Sequence, residues 1–428
     1  MRKKIAFISE HASPLACLGG VDTGGQNVYV AELAKHLAKQ HYSIDIFTRW
    51  DNPDQPKIVY WQPEIRVIHI KAGPVSVFPK EELLPHIPEF RENVLSFIRQ
   101  QNISYSLIHA NFFMSALVAS DLKLLLNIPF VVTFHALGHI RKLYQGKQDK
   151  FPEERLQIEE LIVKQADMVI AECPQDREDL ITYYHANPNR IATIPCGFSS
   201  KEFYPMKKAF ARKKVGLPQD EKILLQLGRM VPRKGVDNVI RSLSKLKNTG
   251  TTARLVIVGG ESDDPNMSTP ELERLKKIAA DEGVSDQIIF TGRKNRDVLK
   301  YYYNAADLFI TTPWYEPFGI TPLESMACGT PVIGSSVGGI KYTVVDGETG
   351  CLVPPNNPYA LAHKVHELLN NASLLQKMKE HCILRVNSQF TWKHVASQVA
   401  LIYERVFLTR KQTPVVSSLP TKSKSEAA

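Results

Sequence analysis

Glu316 and Glu324 stand with seven residues between them in the stretch Tyr315-Glu316-Pro317-Phe318-Gly319-Ile320-Thr321-Pro322-Leu323-Glu324, which runs on as Ser325-Met326-Ala327-Cys328-Gly329-Thr330-Pro331. An apolar run at 307–311 precedes the pair and another at 332–334 follows it. The pattern therefore predicts Glu316 on a loop at the carboxyl end of a strand and Glu324 on the first turns of the next helix. In an open α/β sheet ligands bind at that place, beside helix N-termini whose unpaired N–H groups favour anions. A carboxylate pair there suits a ligand rich in hydroxyls and held next to phosphates.

Three further stretches have the composition for such a ligand. Gly19-Gly20-Val21-Asp22-Thr23-Gly24-Gly25-Gln26-Asn27 lies between the first strand and the first long helix, where glycines permit close backbone approach to an anion. It matches neither G-x-G-x-x-G nor a P-loop, which argues against dinucleotide binding and ATP hydrolysis, and alone it is as often a plain βα turn. Gly228-Arg229-Met230-Val231-Pro232-Arg233-Lys234-Gly235 follows another strand. An Arg fork with a Lys point charge makes a clamp for a diphosphate. In isolation that loop reads as solvated, but its place at a sheet edge opposite the Gly-rich loop favours the clamp. Thr133-Phe134-His135-Ala136-Leu137-Gly138-His139 ends an apolar strand and sets His135 where a ligand in a cleft can meet it. His135 and His139 lack a third metal ligand, and no D-x-D pair stands at a strand end. The expected reaction is metal-independent, with Arg, Lys and helix dipoles neutralising leaving phosphates.

The elements that position these groups come in two series. Strands are expected at 4–8, 43–47, 66–70, 106–109, 130–134, 167–171 and 191–194, with helices at 27–40, 89–100, 114–126, 153–165 and 175–185. The rhythm restarts after a polar, basic connector at 198–218, with strands at 223–227, 255–258, 288–290, 308–311, 332–334 and 350–353. Strands apolar throughout and alternating with helices predict parallel sheets covered on both faces. The expected layout is a first doubly wound domain over 1–200, a second over 201–390 and a helix at 391–408. The Pro/Ser/Thr/Lys-rich segment 411–428 is expected to be disordered.

At 428 residues the chain is too long for one ordinary core, which agrees with two domains. No apolar run reaches the roughly 18 residues of a membrane-spanning helix. Met1-Arg2-Lys3-Lys4 before Ile5-Ala6-Phe7-Ile8-Ser9 mimics a signal peptide, but the run stops at Glu10-His11 and reads as a first strand. Six cysteines without C-x-x-C spacing point to reduced thiols in a cytoplasmic protein. The formal charge of +9 is spread along the chain and does not interleave with aromatics. It reads as a surface that draws phosphorylated ligands, with no nucleic-acid partner and at most peripheral membrane contact.

Together these residues resemble a retaining GT-B glycosyltransferase of the group 1 (family 4) class, and the resemblance runs from Ile5 to about Leu408. Glu316 through Glu324 with Ala327-Cys328-Gly329-Thr330-Pro331 carries it. Gly20-Val21-Asp22-Thr23-Gly24-Gly25-Gln26-Asn27-Val28-Tyr29 and Pro85-His86-Ile87-Pro88-Glu89-Phe90 are similar to sucrose-phosphate synthases and inositol-phosphate glycosyltransferases. The resemblance implies two Rossmann-like domains facing a central cleft, with the C-terminal helix crossing back to the first. It implies that Glu324 binds the nucleotide ribose and Glu316 the donor sugar's hydroxyls, with backbone N–H groups at Phe318, Gly319 and Ile320. Arg229, Lys234 and Gly25 would hold the diphosphate, and the base would stack near Arg293 and Lys294. His135 would lie against the transferred sugar.

On the acceptor side the resemblance implies Lys80, Thr133 and Arg155. Phe112 stands where those relatives carry a tyrosine, and His135-Ala136-Leu137-Gly138-His139 departs from His-Ser-Leu-Gly-Arg. The implied reaction moves a hexose, glucose from UDP-glucose first, to a hydroxyl acceptor such as a phosphorylated sugar or polyol, with no cofactor and no metal. Transfer to a lipid-linked or polysaccharide glycan is the alternative, and a non-catalytic nucleotide-sugar-binding protein the alternative of another class.

Overall fold

A computed structural model describes residues 2–16 and 24–412. The glycine-rich loop's first half (19–23) and the segment 413–428 lie outside the described residues. Eight strands form the first sheet: β1 (Lys3–Ile8), β2 (Tyr42–Arg49), β3 (Ile58–Gln62), β4 (Ile65–Ile70), β5 (Leu107–Asn111), β6 (Phe130–Thr133), β7 (Met168–Ala171) and β8 (Ile191–Thr193). Their order is β3-β4-β2-β1-β5-β6-β7-β8. The second sheet contains β9 (Ile223–Leu227), β10 (Arg254–Val258), β11 (Ile288–Phe290), β12 (Leu308–Thr311), β13 (Val332–Ser335) and β14 (Gly350–Val353), in the order β11-β10-β9-β12-β13-β14. Strand order reverses between β1 and β5 in the first sheet and between β9 and β12 in the second. A crevice opens at each such reversal, outside the carboxyl ends of the strands.

One strand departs from the expected parallel pattern. β3 pairs antiparallel with β4, because only Pro63 and Glu64 separate them and Glu64 takes a φ of 66°. So short a connection joins only antiparallel neighbours. β3 was not expected from the sequence, since as an outer strand it is only partly covered and lacks the apolar continuity of its neighbours.

The helix Trp392–Gln412 leaves the second sheet and returns to the first, taking in the first two residues of the segment 411–428 expected to be disordered. Lys3 Nζ donates to Glu404 at 2.6 Å, Tyr42 OH donates to the same carboxylate at 2.9 Å, and Tyr403 OH lies 2.6 Å from His109 Nδ1. Trp392, 1% exposed, plugs the junction, and Gly197 leaves room for it: a Cβ there would stand 2.8 Å from the indole Cδ2. A single apolar cluster runs from Phe7 and Leu33 through Val395 and Val399 to Phe203, Leu225 and Phe309. The returning helix therefore fixes the two sheets relative to each other by burial. Among the described residues no helix is long and apolar enough to cross a membrane.

Candidate active site

The carboxyl ends of the two sheets face a cavity of about 340 Å³. Gly25, Lys80, His135, Arg229, Lys234, Arg293, Lys294, Glu316, Phe318, Gly319, Ile320 and Glu324 all border it, whereas Thr133 and Arg155 do not. Two helices point their N-termini at the space, Gly25–Ala38 from the first sheet and Ile320–Ala327 from the second. They nearly meet, since a Cβ on Gly25 would lie 3.7 Å from Ile320 Cδ1. Neither has an acidic residue in its first turn, so the orphan N–H groups and both dipoles favour an anion between them.

Cations from the second domain complete that preference. Arg229, Arg233 and Lys234 crowd around Glu316, whose carboxylate pairs directly with Lys234 Nζ. Burial alone would raise the Glu316 carboxyl, but Lys234, Arg233 and Arg229 outweigh it and hold it below the ordinary carboxylate range. Burial lowers Lys234, and Arg233 and Arg229 add to the effect against the pull of Glu316. The Lys234 shift comes first from burial, whereas the surrounding cations decide that of Glu316. Arg and Lys side chains grouped in this way suit a phosphate-bearing ligand. The loops are locked together: Trp314 N–H donates to Arg233 O at 2.9 Å, and Gly235, at φ 67°, has no room for a Cβ against the Thr312 carbonyl.

Glu324 lies deeper. Arg296 Nη1 donates to its Oε1 at 2.8 Å and Tyr303 OH to its Oε2 at 2.9 Å. Burial raises the Glu324 carboxyl, with Arg296 and Tyr303 opposing. Each oxygen keeps a second acceptor direction, enough for the two neighbouring hydroxyls of a ribose. Arg296 was missed in the sequence, although a buried carboxylate requires a cation and Arg296 closely follows Arg293 and Lys294. Arg293 pairs with Asp263 at 2.8 Å on the rim.

On the opposite wall His135 sits two residues past β6 with φ 59°, a left-handed conformation rare outside glycine. Its Nδ1 lies 3.1 Å from Glu172 Oε1, its Nε2 lies 3.1 Å from Asn111 Oδ1, and the Tyr29 ring packs edge-on at 4.7 Å. Glu172 borders the cavity and was not singled out in the sequence.

Two acceptor-side expectations are corrected. Arg155, 1% exposed, pairs with Glu159 one helical turn on at 2.7 Å, donates to Ala136 O at 2.5 Å and is caged by Phe112, Phe113 and Phe151. It braces the backbone beside His135 and does not reach the cavity. Thr133 is fully buried, its hydroxyl 2.9 Å from His109 Nε2 and 3.3 Å from Tyr29 OH. Lys80, Arg141, Phe112 and His11 line the first domain's side of the cavity instead. Tyr315 reaches over from the second domain to stack on Tyr144, with centroids 5.2 Å apart. Among the described residues no group of three or more His, Cys, Asp or Glu side chains is placed to hold a metal ion.

Two parallel α/β sheets facing one cleft, linked by a helix that returns to the first, define the GT-B glycosyltransferase fold. The chain belongs to the group 1, family 4 glycosyltransferases: residues 23–202 match the family described as Glycosyltransferase Family 4, and residues 207–383 match Glycosyl transferases group 1. The D-inositol 3-phosphate glycosyltransferase of Corynebacterium glutamicum (strain R) is 34% identical over 406 residues, 94% of this chain and 96% of that protein. The sucrose-phosphate synthase of Thermosynechococcus elongatus superposes with a TM-score of 0.87 at 34% identity, covering 95% of this chain and 100% of that one. Anabaena HepE, solved in complex with UDP-glucose, shares the fold with a TM-score of 0.73 at 17% identity, covering 94% of this chain and 99% of that one.

Proposed function

We propose that the protein transfers a hexose, glucose from UDP-glucose as the first candidate, to a hydroxyl of a phosphorylated sugar or polyol with retention of anomeric configuration. The observation that carries this reading is the cationic cluster Arg229, Arg233 and Lys234 around Glu316, facing the N-termini of the helices Gly25–Ala38 and Ile320–Ala327. A nucleoside diphosphate satisfies those charges, Glu324 takes the ribose hydroxyls, and Glu316 takes hydroxyls of the sugar next to it. The names of the inositol-phosphate and sucrose-phosphate relatives support a phosphorylated acceptor, and Lys80 and Arg141 on the acceptor wall suit its phosphate.

In the reaction, the bond from the anomeric carbon to the diphosphate oxygen breaks while the acceptor oxygen bonds to that carbon from the same face. The acceptor's proton passes to the departing phosphate. The cationic cluster stabilises the charge that develops on the leaving group, the part a metal ion plays in other transferases. Buried, unpaired Cys173, Cys196, Cys328, Cys351 and Cys382 suit the reducing cytoplasm. A thermal-shift screen of UDP-, ADP- and GDP-sugars, followed by release of nucleoside diphosphate with candidate acceptors in EDTA, tests the reading. Stabilisation by a nucleotide sugar and turnover in chelator support it; stabilisation by none refutes it.

A further inference from the structure

Four neighbouring strands of the first sheet each deliver one side chain to a single hydrogen-bonded row. Asn111 ends β5, His135 lies two residues past β6, Glu172 directly follows β7 and Cys196 lies three residues past β8. Asn111 Oδ1 meets His135 Nε2 at 3.1 Å, His135 Nδ1 meets Glu172 Oε1 at 3.1 Å, and Cys196 Sγ donates to the same Oε1 at 2.9 Å. Glu172 is 3% exposed and still borders the cavity. Donor binding alone does not call for this row.

We propose that Glu172 is a positioning residue for glycosyl transfer: its carboxylate holds the His135 proton on Nδ1 and fixes the ring's rotation, so that one edge faces the reacting sugar. The inference rests on the transferase reading of the cavity. An ionised carboxylate only accepts hydrogen bonds, so an imidazole nitrogen beside it must be the N–H. Asn111 also sets an acceptor, Oδ1, against Nε2 while its NH₂ reaches Ile8 O and His109 O at 3.4 Å, but a carboxylate is the stronger acceptor and takes the single proton of a neutral ring. Two donors, the His135 ring and the Cys196 thiol, converge on one Glu172 oxygen, which acts as their common acceptor. Asp176 accepts the Glu172 backbone N–H at 2.9 Å, and burial beside Glu172 pushes its own carboxyl up to about 8. The left-handed backbone at His135 is the kind of local strain that persists where a side chain must be aimed.

The test uses the full chain, ¹⁵N-labelled at histidine, as wild type, Glu172→Ala and the near-isosteric Glu172→Gln. Long-range ¹⁵N–¹H spectra, assigned by loss of the signal in His135→Gln, read the tautomer without any substrate. That arm stands even if the proposed donor or acceptor is wrong. The expected result is a Nδ1–H tautomer in wild type and a tautomer mixture in Glu172→Ala. In kinetics, Glu172→Ala loses about 10–100-fold in kcat while KM for the nucleotide sugar stays within about twofold. Glu172→Gln keeps an acceptor oxygen, turned to the ring by the Cys196 thiol that donates to the same atom in wild type, and restores the Nδ1–H form and most of kcat. An unchanged His135 spectrum in Glu172→Ala overturns the proposal, as does a loss confined to KM. Equal losses in the Ala and Gln variants overturn it too.

Discussion

Arg296 donates to Glu324 across 2.8 Å, from the first turn of the helix Arg296–Ala305 to a carboxylate that is almost completely buried. With Tyr303 on its other oxygen, Glu324 is held at one angle before any ligand arrives. The Glu324 end of the cavity is thus preorganised, and binding a ligand there costs little side-chain ordering.

Removing the Glu324 carboxylate should therefore act on both fold and donor site. Glu324→Ala strands the Tyr303 hydroxyl and leaves Arg296 with Glu202 alone, 2.6 Å away, and should cost about 2 kcal/mol in urea unfolding. Glu324→Gln keeps the shape, should cost less in unfolding, and should weaken nucleotide-sugar binding about tenfold. Equal stability of the Ala variant and wild type would show that the pair is not structural.

The loop that carries Glu316 and Phe318 is propped from behind by Gly338 and Gly339. Gly339 N–H donates to Glu316 O at 3.0 Å, and a Cβ on Gly339 would overlap the Phe318 backbone. Gly339→Ala should push that loop towards the helix Gly25–Ala38 and weaken donor binding at least tenfold, with a melting point lower by several degrees. Gly347→Ala, where a Cβ meets no neighbour within 4 Å although φ is 79°, serves as the comparison for backbone strain alone. Donor affinity equal in the two variants would refute the propping role.

That Arg229, Lys234, Glu316 and Glu324 gather at one cavity was legible in the sequence because each part follows from local punctuation. A strand, a glycine turn and a helix start place Arg229, Lys234, Glu316 and Glu324 at sheet ends without knowledge of the other elements. Glu172 and Arg296 were not legible, because each acquires meaning only through a partner brought near by folding: His135, 37 residues away, and Glu324, 28 residues away. Arg155 misled for the opposite reason. It has the type and position of a phosphate ligand, yet Glu159 lies four residues on along the same helix and neutralises it inside an aromatic cage. The short helix Gly138–Gln145 was not among the expected helices, since it begins at a glycine and buries little else.

His109 should give the fold an acid-sensitive element. It is fully buried between Thr133 and Tyr403, and burial, helped by His135, pushes its imidazole down to about 3. Below its ordinary value near 6.5 the unfolded chain takes up a proton that the folded chain refuses. Stability from this site is therefore complete at neutral pH and falls as pH drops from 6.5 towards 3, by about 1.4 kcal/mol per pH unit. His109→Gln should be less stable at pH 7, yet should lose about 2 kcal/mol less than wild type between pH 6.5 and 5 in denaturant titrations. Parallel losses in the two proteins would refute this.

The central claim is that Arg229 and Lys234 hold the diphosphate of a nucleotide sugar between the two sheets. Calorimetric titration of UDP-glucose, then ADP- and GDP-sugars, into wild type, Arg229→Ala and Lys234→Ala measures it directly. The expected result is saturable binding of at least one nucleotide sugar to wild type, weakened about 10–100-fold in each variant, with folding intact by circular dichroism. Binding of no nucleotide sugar to wild type, or equal binding to all three proteins, would contradict it.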